Sequence, residues 1–325
     1  MHNSESIKAI PSNRLQFFPI MMFATVMGLM GLSMVFIKLN ESFDFPYEIG
    51  FYLGLFTSGV YLSIVLTYIL KIFLHTKEVK QELSHPIRVN FFAASSISTL
   101  LLSMFFRQVD MNVAYILFFI GAFVHIFFTF YTIKFWINNN LEIVHSNPAW
   151  FIPIVGNLIV PIAGIGFVDK SILYFFYSIG IFFWIILFSI ILNRIIFHKQ
   201  FAAKFMPTLF ILIAPPAIGF IAYIKLTSSL DFFAHILYSL GLFFTILVFV
   251  MYKNYMNIKF FISWWAFTFP MAAISLATIL MFELTKVSFY EYLSYVFTFI
   301  STFIVLLVAI QTLIHMRKKE ICIME

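Results

Sequence analysis

The sequence predicts an all-α integral membrane protein with ten transmembrane helices paired into five helical hairpins. Three observations carry that prediction. The 325-residue chain is 62% hydrophobic and only 10% charged, with a mean hydropathy of +0.99. That is more apolar surface than a water-soluble domain of this length can cover. Ten stretches, each near the twenty or so apolar residues that cross a bilayer, use up nearly the whole chain. Nine of the eleven prolines lie in, or at the start of, every second stretch, and none lies in the stretches between. Short strands of alternating polarity, the mark of a membrane barrel, are absent from the pattern.

The segments follow in order. Segment one (18–37) opens on Pro19 and carries Ala24, Thr25, Gly28 and Gly31. Segment two (48–75) is long and proline-free, with Gly50 and Gly54 at GxxxG spacing, which suits either a subunit contact or local packing. Segment three (89–106) follows Pro86 and holds Ala93, Ala94, Ser95, Ser96 and Ser98. Segment four (112–138) is again proline-free and contains His125. Segment five (149–168) has Pro148, Pro153 and Pro161 with Gly156, Asn157, Ala163 and Gly164. Segment six (171–198) is proline-free, and segment seven (206–224) has Pro207, Pro215 and Pro216. Segment eight (230–256) is proline-free and carries His235; segment nine (260–282) holds Trp264, Trp265, Ala266, Phe269, Pro270, Ala272, Ala273 and Ser275. Segment ten (288–316) completes the set. The chain thus reads as one membrane domain over 1–325, a bundle from 17 to 317 with short tails, 1–16 and 318–325. No small-residue cleavage site follows the first apolar run, so segment one is expected to stay as a helix.

Pro19, Pro86 and Pro207 suit helix starts, where the missing N–H has no partner. Pro161, Pro215, Pro216 and Pro270 fall inside their segments, where proline removes a backbone hydrogen bond and bends a helix. In lipid a freed carbonyl must be satisfied by protein or water. The expected architecture is therefore an inner ring of five kinked odd helices around a pore, within an outer ring of five straight even helices. The small residues of the odd segments serve either close helix packing or room for a pore.

Fifteen of the twenty Lys and Arg residues fall in the tails and in the loops after the even segments. The positive-inside rule then puts both termini in the cytoplasm, in the plasma (bacterial inner) membrane. The net charge of +6 is a topology signal, not a nucleic-acid footprint. The other five cations, Lys38, Arg107, Lys170, Lys225 and Lys286, each follow an odd segment. They suit a cationic collar at an outer mouth, or else cations that favour helix C-termini and snorkel at the interface.

Phe269 is flanked on its helical face by Ala266, Ala272 and Ala273. A bulky ring among alanines fits a hydrophobic pore constriction that closes by dewetting; it also fits ordinary packing by one of 46 phenylalanines. The odd segments carry no Asp, Glu, Lys or Arg within their spans, which favours passive conduction over proton-coupled pumping. Selection is then expected from hydroxyls, from amides such as Asn157, and from the charge of the mouths. Among the pore-lining or kink positions we count Gly28, Ser95, Asn157, Pro161, Pro216, Ala266, Pro270 and Ala273.

At these same segments the chain resembles a known family. Phe18-Pro19-Ile20 with residues 23–31 (FATVMGLMG), residues 85–92 (HPIRVNFF), Pro148-Ala149-Trp150 through Pro153, Gly156 and Asn157, Ala214-Pro215-Pro216, and residues 264–271 (WWAFTFPM) are similar, in order, to the tellurite-resistance/dicarboxylate transporter family (TehA-like). That family belongs with the slow-type anion channels of plant guard cells. The resemblance implies a homotrimer in which each protomer has its own pore, lined by the odd helices. It implies passage of small anions such as chloride, nitrate, malate and related dicarboxylates, or sulfite. It also implies that Phe269 is the plug. Where related bacterial members can have a proline in the first helix this chain has Val26, so a bend there rests on Gly28.

The sequence shows no nucleophile–base pair, phosphate loop or metal-spaced cluster, so no enzyme, cofactor or metal is implied. Cys322 is the single cysteine, which leaves no disulfide within the chain. His125 and His235 read as buried, hydrogen-bonded histidines, and Trp136, Trp150 and the Trp264–Trp265 pair read as interfacial anchors. The leading expectation is an anion channel or facilitator; the alternative is a secondary transporter of dicarboxylate or sulfite.

Overall fold

The structure, a computed structural model, describes residues 14–323. Among these residues all regular structure is helical: α1 (Phe23–Phe43), α2 (Tyr47–Leu74), α3 (Thr76–Leu83), α4 (Ala93–Phe106), α5 (Met111–Asn138), α6 (Phe151–Val155), α7 (Ile159–Gly164), α8 (Lys170–Phe197), α9 (Ala214–Thr227), α10 (Phe232–Val250), α11 (Thr268–Thr285) and α12 (Ser288–Arg317). Nine of the ten expected segments form helices long and apolar enough to cross a membrane, and the fifth forms a shorter apolar stretch, Pro148–Gly164. The helices are those of a multi-span membrane protein. The even helices are not uniformly long: α2, α5 and α8 have 28 residues and α12 has 30, but α10 stops after 19.

Odd and even segments differ sharply in burial. Four odd spans bury 67% to 83% of their central residues, whereas the even spans bury 28% to 39%. On α5 the buried positions are Ala114, Phe118, Gly121, Ala122, His125, Thr129 and Thr132, a single stripe at helical period. Its remaining face is phenylalanine- and isoleucine-rich and exposed, as a lipid-facing surface requires. Three even helices start on an aspartate cap: Asp110, Asp169 and Asp231 each accept backbone N–H bonds from the first turn.

The prolines act differently from the expectation. Every odd segment begins in a tighter 3-10 conformation: Ile20–Met22, Arg88–Phe91, Pro148–Trp150, Ala203–Ile213 and Ile262–Phe267. Pro153, Pro161, Pro215, Pro216 and Pro270 then stand in the first turn of the α-helix that follows. There a missing N–H removes no intrahelical bond, so the irregularity of these segments is a change of helix type rather than a broken α-helix. Pro207 lies inside its 3-10 stretch and leaves the Lys204 carbonyl without its usual donor; the Ser263 hydroxyl supplies one instead.

α1 packs against α4 and α11, α4 against α7, α7 against α9, and α9 against α11. Gly50 and Gly54 of α2 settle their own role: a Cβ on Gly50 would meet Ile37 at 2.8 Å and one on Gly54 would meet Phe105 at 2.1 Å, so both serve packing within the chain. α3 has no counterpart among the ten expected segments. Its Glu82 is buried against Lys71 of α2. Two further expectations are corrected. Trp150 and Trp265 are buried rather than interfacial, Trp150 stacking on Trp136 at 4.6 Å and Trp265 donating to Thr312 Oγ1 at 3.0 Å. His235 faces outward from α10, because Asp231 sets that helix's phase and turns Ala234 inward.

Candidate functional site

Two cavities lie along the bundle between the odd segments. The larger, of about 170 Å³, takes wall residues from all five: Gly31, Met34, Ile37, Lys38 and Glu41 of α1, Leu101 and Met104 of α4, Ile159 and Ile162 of α7, Ile218, Ile221 and Lys225 of α9, and Phe269, Leu276 and Leu280 of α11. The smaller, of about 50 Å³, is lined by Met27, Ile97, Phe151, Ile152, Val155, Gly156, Ile159, Ile211, Ala214, Pro215, Ile218 and Phe269. The larger extends toward the C-terminal ends of the odd helices and the smaller toward their N-terminal ends. Only Ile159, Ile218 and Phe269 line both.

Phe269 is the second residue of α11, directly after the 3-10 stretch Ile262–Phe267. The switch in helix type and the Pro270 ring behind it fix where its side chain leaves the backbone. It is 9% exposed. The isoleucines that share the constriction carry no sequence signal, since isoleucine is common throughout the chain. Gly31, which belongs to the same wall, was visible only as one of several small residues in segment one.

The other expected site residues sit elsewhere. Gly28 faces Thr268, whose Oγ1 would lie 2.1 Å from a Cβ at that position; it lets α1 approach α11. Ser95 returns its hydroxyl to Phe92 O. Asn157 donates to Thr129 Oγ1 at 2.9 Å and to Ile154 O at 2.8 Å, turned toward α5. Pro161, Pro216, Pro270 and Ala273 are buried in helix contacts, and Ala266 is half-buried. None of these eight lines either cavity. No hydroxyl or amide side chain does so either; both walls are apolar apart from Lys38, Glu41 and Lys225.

The five outer cations do unlike things. Lys38, inside α1, and Lys225, on the last turn of α9, stand on helices rather than in loops, and both face the larger cavity. Lys38 is ion-paired at 2.9 Å to Glu41 and at 2.9 Å to Glu283. Arg107 reaches the next odd helix, donating to Ala163 O and Ile165 O at 2.6 Å each and stacking on Phe167 at 4.0 Å. The turn it holds needs Gly166 at φ +81°. Lys170 likewise donates to Leu226 O at the end of α9. Lys286 lies over the ring of Phe282. Cations at helix C-terminal carbonyls are favourable in their own right.

At the opposite end the starts of the third, fifth and seventh segments converge on His85. Its Nδ1 accepts the backbone N–H of Ile87 and of Arg88. Burial first, then the charges of Arg88, Lys204 and His145, hold its pKa below the usual histidine value. Among the described residues no group of His, Cys, Asp and Glu could hold a metal.

With this geometry in place, the comparisons with known proteins are specific. Residues 17–313 match the family described as voltage-dependent anion channel, SLAC1. The chain is 28% identical over 257 residues to an S-type anion channel, SLAH3, of Arabidopsis thaliana, covering 78% of this chain and 40% of that protein. It is 25% identical over 301 residues to an uncharacterized transporter of Methanocaldococcus jannaschii, covering 84% and 87%. It is 26% identical over 262 residues to a tellurite resistance protein TehA homolog of Haemophilus influenzae, covering 78% of each. These relatives are anion channels and transporters, not enzymes. With most of its length matched, this chain belongs to the SLAC1 voltage-dependent anion channel family.

Proposed function

We propose that this protein conducts small anions passively along the axis between its five odd helices, with Phe269 as the closed gate. The observation that carries this reading is the position of Phe269 between two cavities to which every odd segment contributes. The cycle of contacts α1–α4–α7–α9–α11–α1 supports an inner ring, and the exposed even helices support an outer one.

The walls are apolar, so the pathway has little with which to hold an ion tightly. Such a wall suits rapid passage of weakly hydrated monovalent anions, chloride and nitrate, and a gate that closes by dewetting. The names of the S-type relatives fit this reading. The basic excess supports termini in the cytoplasm and a larger cavity that opens to the outer side of the plasma membrane. A homotrimer with one pore per protomer is the assembly we infer from the resemblance.

The test is anion current in proteoliposomes or voltage-clamped oocytes, native chain against Phe269→Ala, under chloride, nitrate and malate. A large rise on removing the ring supports the gated channel. No current from either chain, with the variant well folded, overturns it in favour of a coupled carrier of dicarboxylate or sulfite. Proton-driven uptake of labelled malate would then be measured.

A further inference from the structure

The break in the fifth odd segment sits directly against a histidine that the pathway above does not use. His125 projects from α5, is 0% exposed, and places Nδ1 2.9 Å from Ser96 Oγ. The single hydroxyl hydrogen of Ser96 is used in its 2.8 Å bond to Ala93 O. The contact with His125 is then made by Nδ1–H donating, which leaves Nε2 as a basic lone pair. That atom is buried without a hydrogen-bond partner.

Gly156 is the one glycine in the wall of the smaller cavity. A Cβ on it would lie 2.6 Å from His125 Cε1 and 2.9 Å from Nε2. The edge of the imidazole thus fills the space that a side chain at 156 would take. Next along the chain, Asn157 Oδ1 is also buried and unpartnered. Two unsatisfied polar atoms, on the residue that Gly156 contacts and on its chain neighbour, are thus buried behind an apolar wall, and buried polar groups are normally satisfied.

We propose that His125 is a proton-binding site coupled to anion occupancy of the smaller cavity, with Gly156 as the point of communication. The inference rests on the anion-pathway reading above. Its physical basis is charge compensation. α4, α6 and α7 carry no charged side chain; α5 has only Lys134, with Tyr115 and Tyr131, and α8 behind them has Lys170, Arg194, Tyr174 and Tyr177. Among the described residues none of these is hydrogen-bonded to the ring, whose Nδ1 meets Ser96 and whose Nε2 has no partner. An imidazolium with no counter-charge in apolar surroundings is costly. An anion in the cavity supplies that counter-charge, so the proton and the anion each favour the other's binding, reciprocally. The proton arrives on Nε2 and leaves from it; no covalent bond to the anion forms.

Two arms test this. In proteoliposomes at equal pH on both sides, chloride and nitrate flux through the native chain should rise at least about fivefold as the pH falls from about 8 to about 4.5, the anion offsetting the cost of the buried imidazolium. His125→Gln should be flat across that range. Ser96→Ala, which removes only the anchor of Nδ1, should shift the midpoint without abolishing the response. The second arm does not need conduction. Nitrate added to the native protein in weakly buffered lipid suspension should draw protons from solution, and 15N-histidine NMR should show one imidazole charging at higher pH when nitrate is present. That signal should be absent from His125→Gln. A His125 that stays neutral with nitrate present, or a native flux indifferent to pH, overturns the coupling while leaving a conducting pathway intact. Proton uptake on nitrate addition without any flux overturns the conducting pathway and leaves the coupled site standing.

Discussion

The ring of Phe269 lies across the bare face of Gly31: a Cβ at position 31 would stand 3.4 Å from Phe269 Cδ2. One turn earlier on α1, Gly28 takes Thr268 in the same way. A seam of two glycines thus lets α11 approach α1 closely enough for the Phe269 ring to bridge the space between the cavities. The Phe269 ring is positioned by the absence of side chains opposite it as much as by its own bulk.

That relationship predicts a graded response at position 269. Replacing the ring by Leu, Val and Ala should raise anion conductance in that order, with Ala giving at least about a tenfold increase, equivalent to about 1.4 kcal/mol of barrier. Trp at the same position should reduce it. Single-protein-population flux at matched protein density is the measurement. An equal conductance for all four variants would mean that the barrier lies elsewhere.

The charged rim of the larger cavity makes a second prediction, one that separates Lys225, Lys38 and Lys286. Lys225 is exposed on the cavity wall with no carboxylate at ion-pair distance among the described residues, while Lys38 is held by Glu41 and Glu283. Lys225→Gln should lower anion flux severalfold at low salt, and the deficit should shrink as ionic strength rises. Lys38→Gln should lower it further, because two carboxylates at the mouth lose their partner. Lys286→Gln should do little. Equal losses at all three positions would restore the uniform collar.

Much of this was legible in the sequence, and the rest was hidden for identifiable reasons. Ten apolar runs and the odd-only prolines sufficed to mark the segments and to separate the two kinds of helix. Phe269 stood out by its alanine flanks and its motif. What proline does at Pro161 or Pro270 could not be read, because its effect depends on whether its N–H would have been bonded, and that depends on the helix type just before it. α3 was invisible because a charged segment such as Thr76–Leu83 resembles a solvated loop until Glu82 is seen to be buried. Ile159 and Ile218 are ordinary isoleucines until helix rotation puts them opposite Phe269. The contact between Gly156 and His125 joins two helices and follows no period along either. Asn157 drew attention as a polar group in an odd segment, yet its amide N–H groups are spent on Thr129 and Ile154 O rather than on the cavities.

His85 predicts a pH dependence of stability outside the membrane-spanning helices. Its folded pKa lies below the unfolded value of 6.5, so between the two the unfolded chain binds more protons. The stabilising contribution is then present above about pH 6.5 and is lost as pH falls toward the folded pKa. Protonation of Nδ1 also ends its acceptance of the Ile87 and Arg88 N–H groups. Thermal unfolding of the purified protein should show a fall in Tm from pH 7.5 to pH 5. His85→Asn, whose side-chain oxygen accepts without titrating, should flatten that limb. An unchanged pH profile would assign the acid sensitivity to other groups.

Lys71 and Glu82 give the last prediction, and here the sign of the double variant matters most. Their side chains are 1% and 7% exposed and 3.0 Å apart. Lys71 also donates to Phe18 O at 2.8 Å, and the Tyr68 hydroxyl donates to Glu82 at 2.7 Å. The cluster ties α2 and α3 to the residue just before Pro19, which opens the 3-10 turn Ile20–Met22 that leads into α1. A buried pair is not itself strong evidence of stabilisation, because desolvating two charges offsets most of their attraction. Removing one partner is different, since it strands the other. Glu82→Leu and Lys71→Met should each cost about 3–5 kcal/mol, while the double variant Lys71→Met with Glu82→Leu should recover most of that loss. Tyr68→Phe should cost only about 1 kcal/mol, the usual scale for one hydrogen bond. A double-mutant cycle on thermal unfolding measures the coupling. Additive losses would mean that the two charges are held by their other partners. A restored double variant would mean that the pair's value lies in choosing where α3 docks, a choice that an apolar pair of similar volume makes as well.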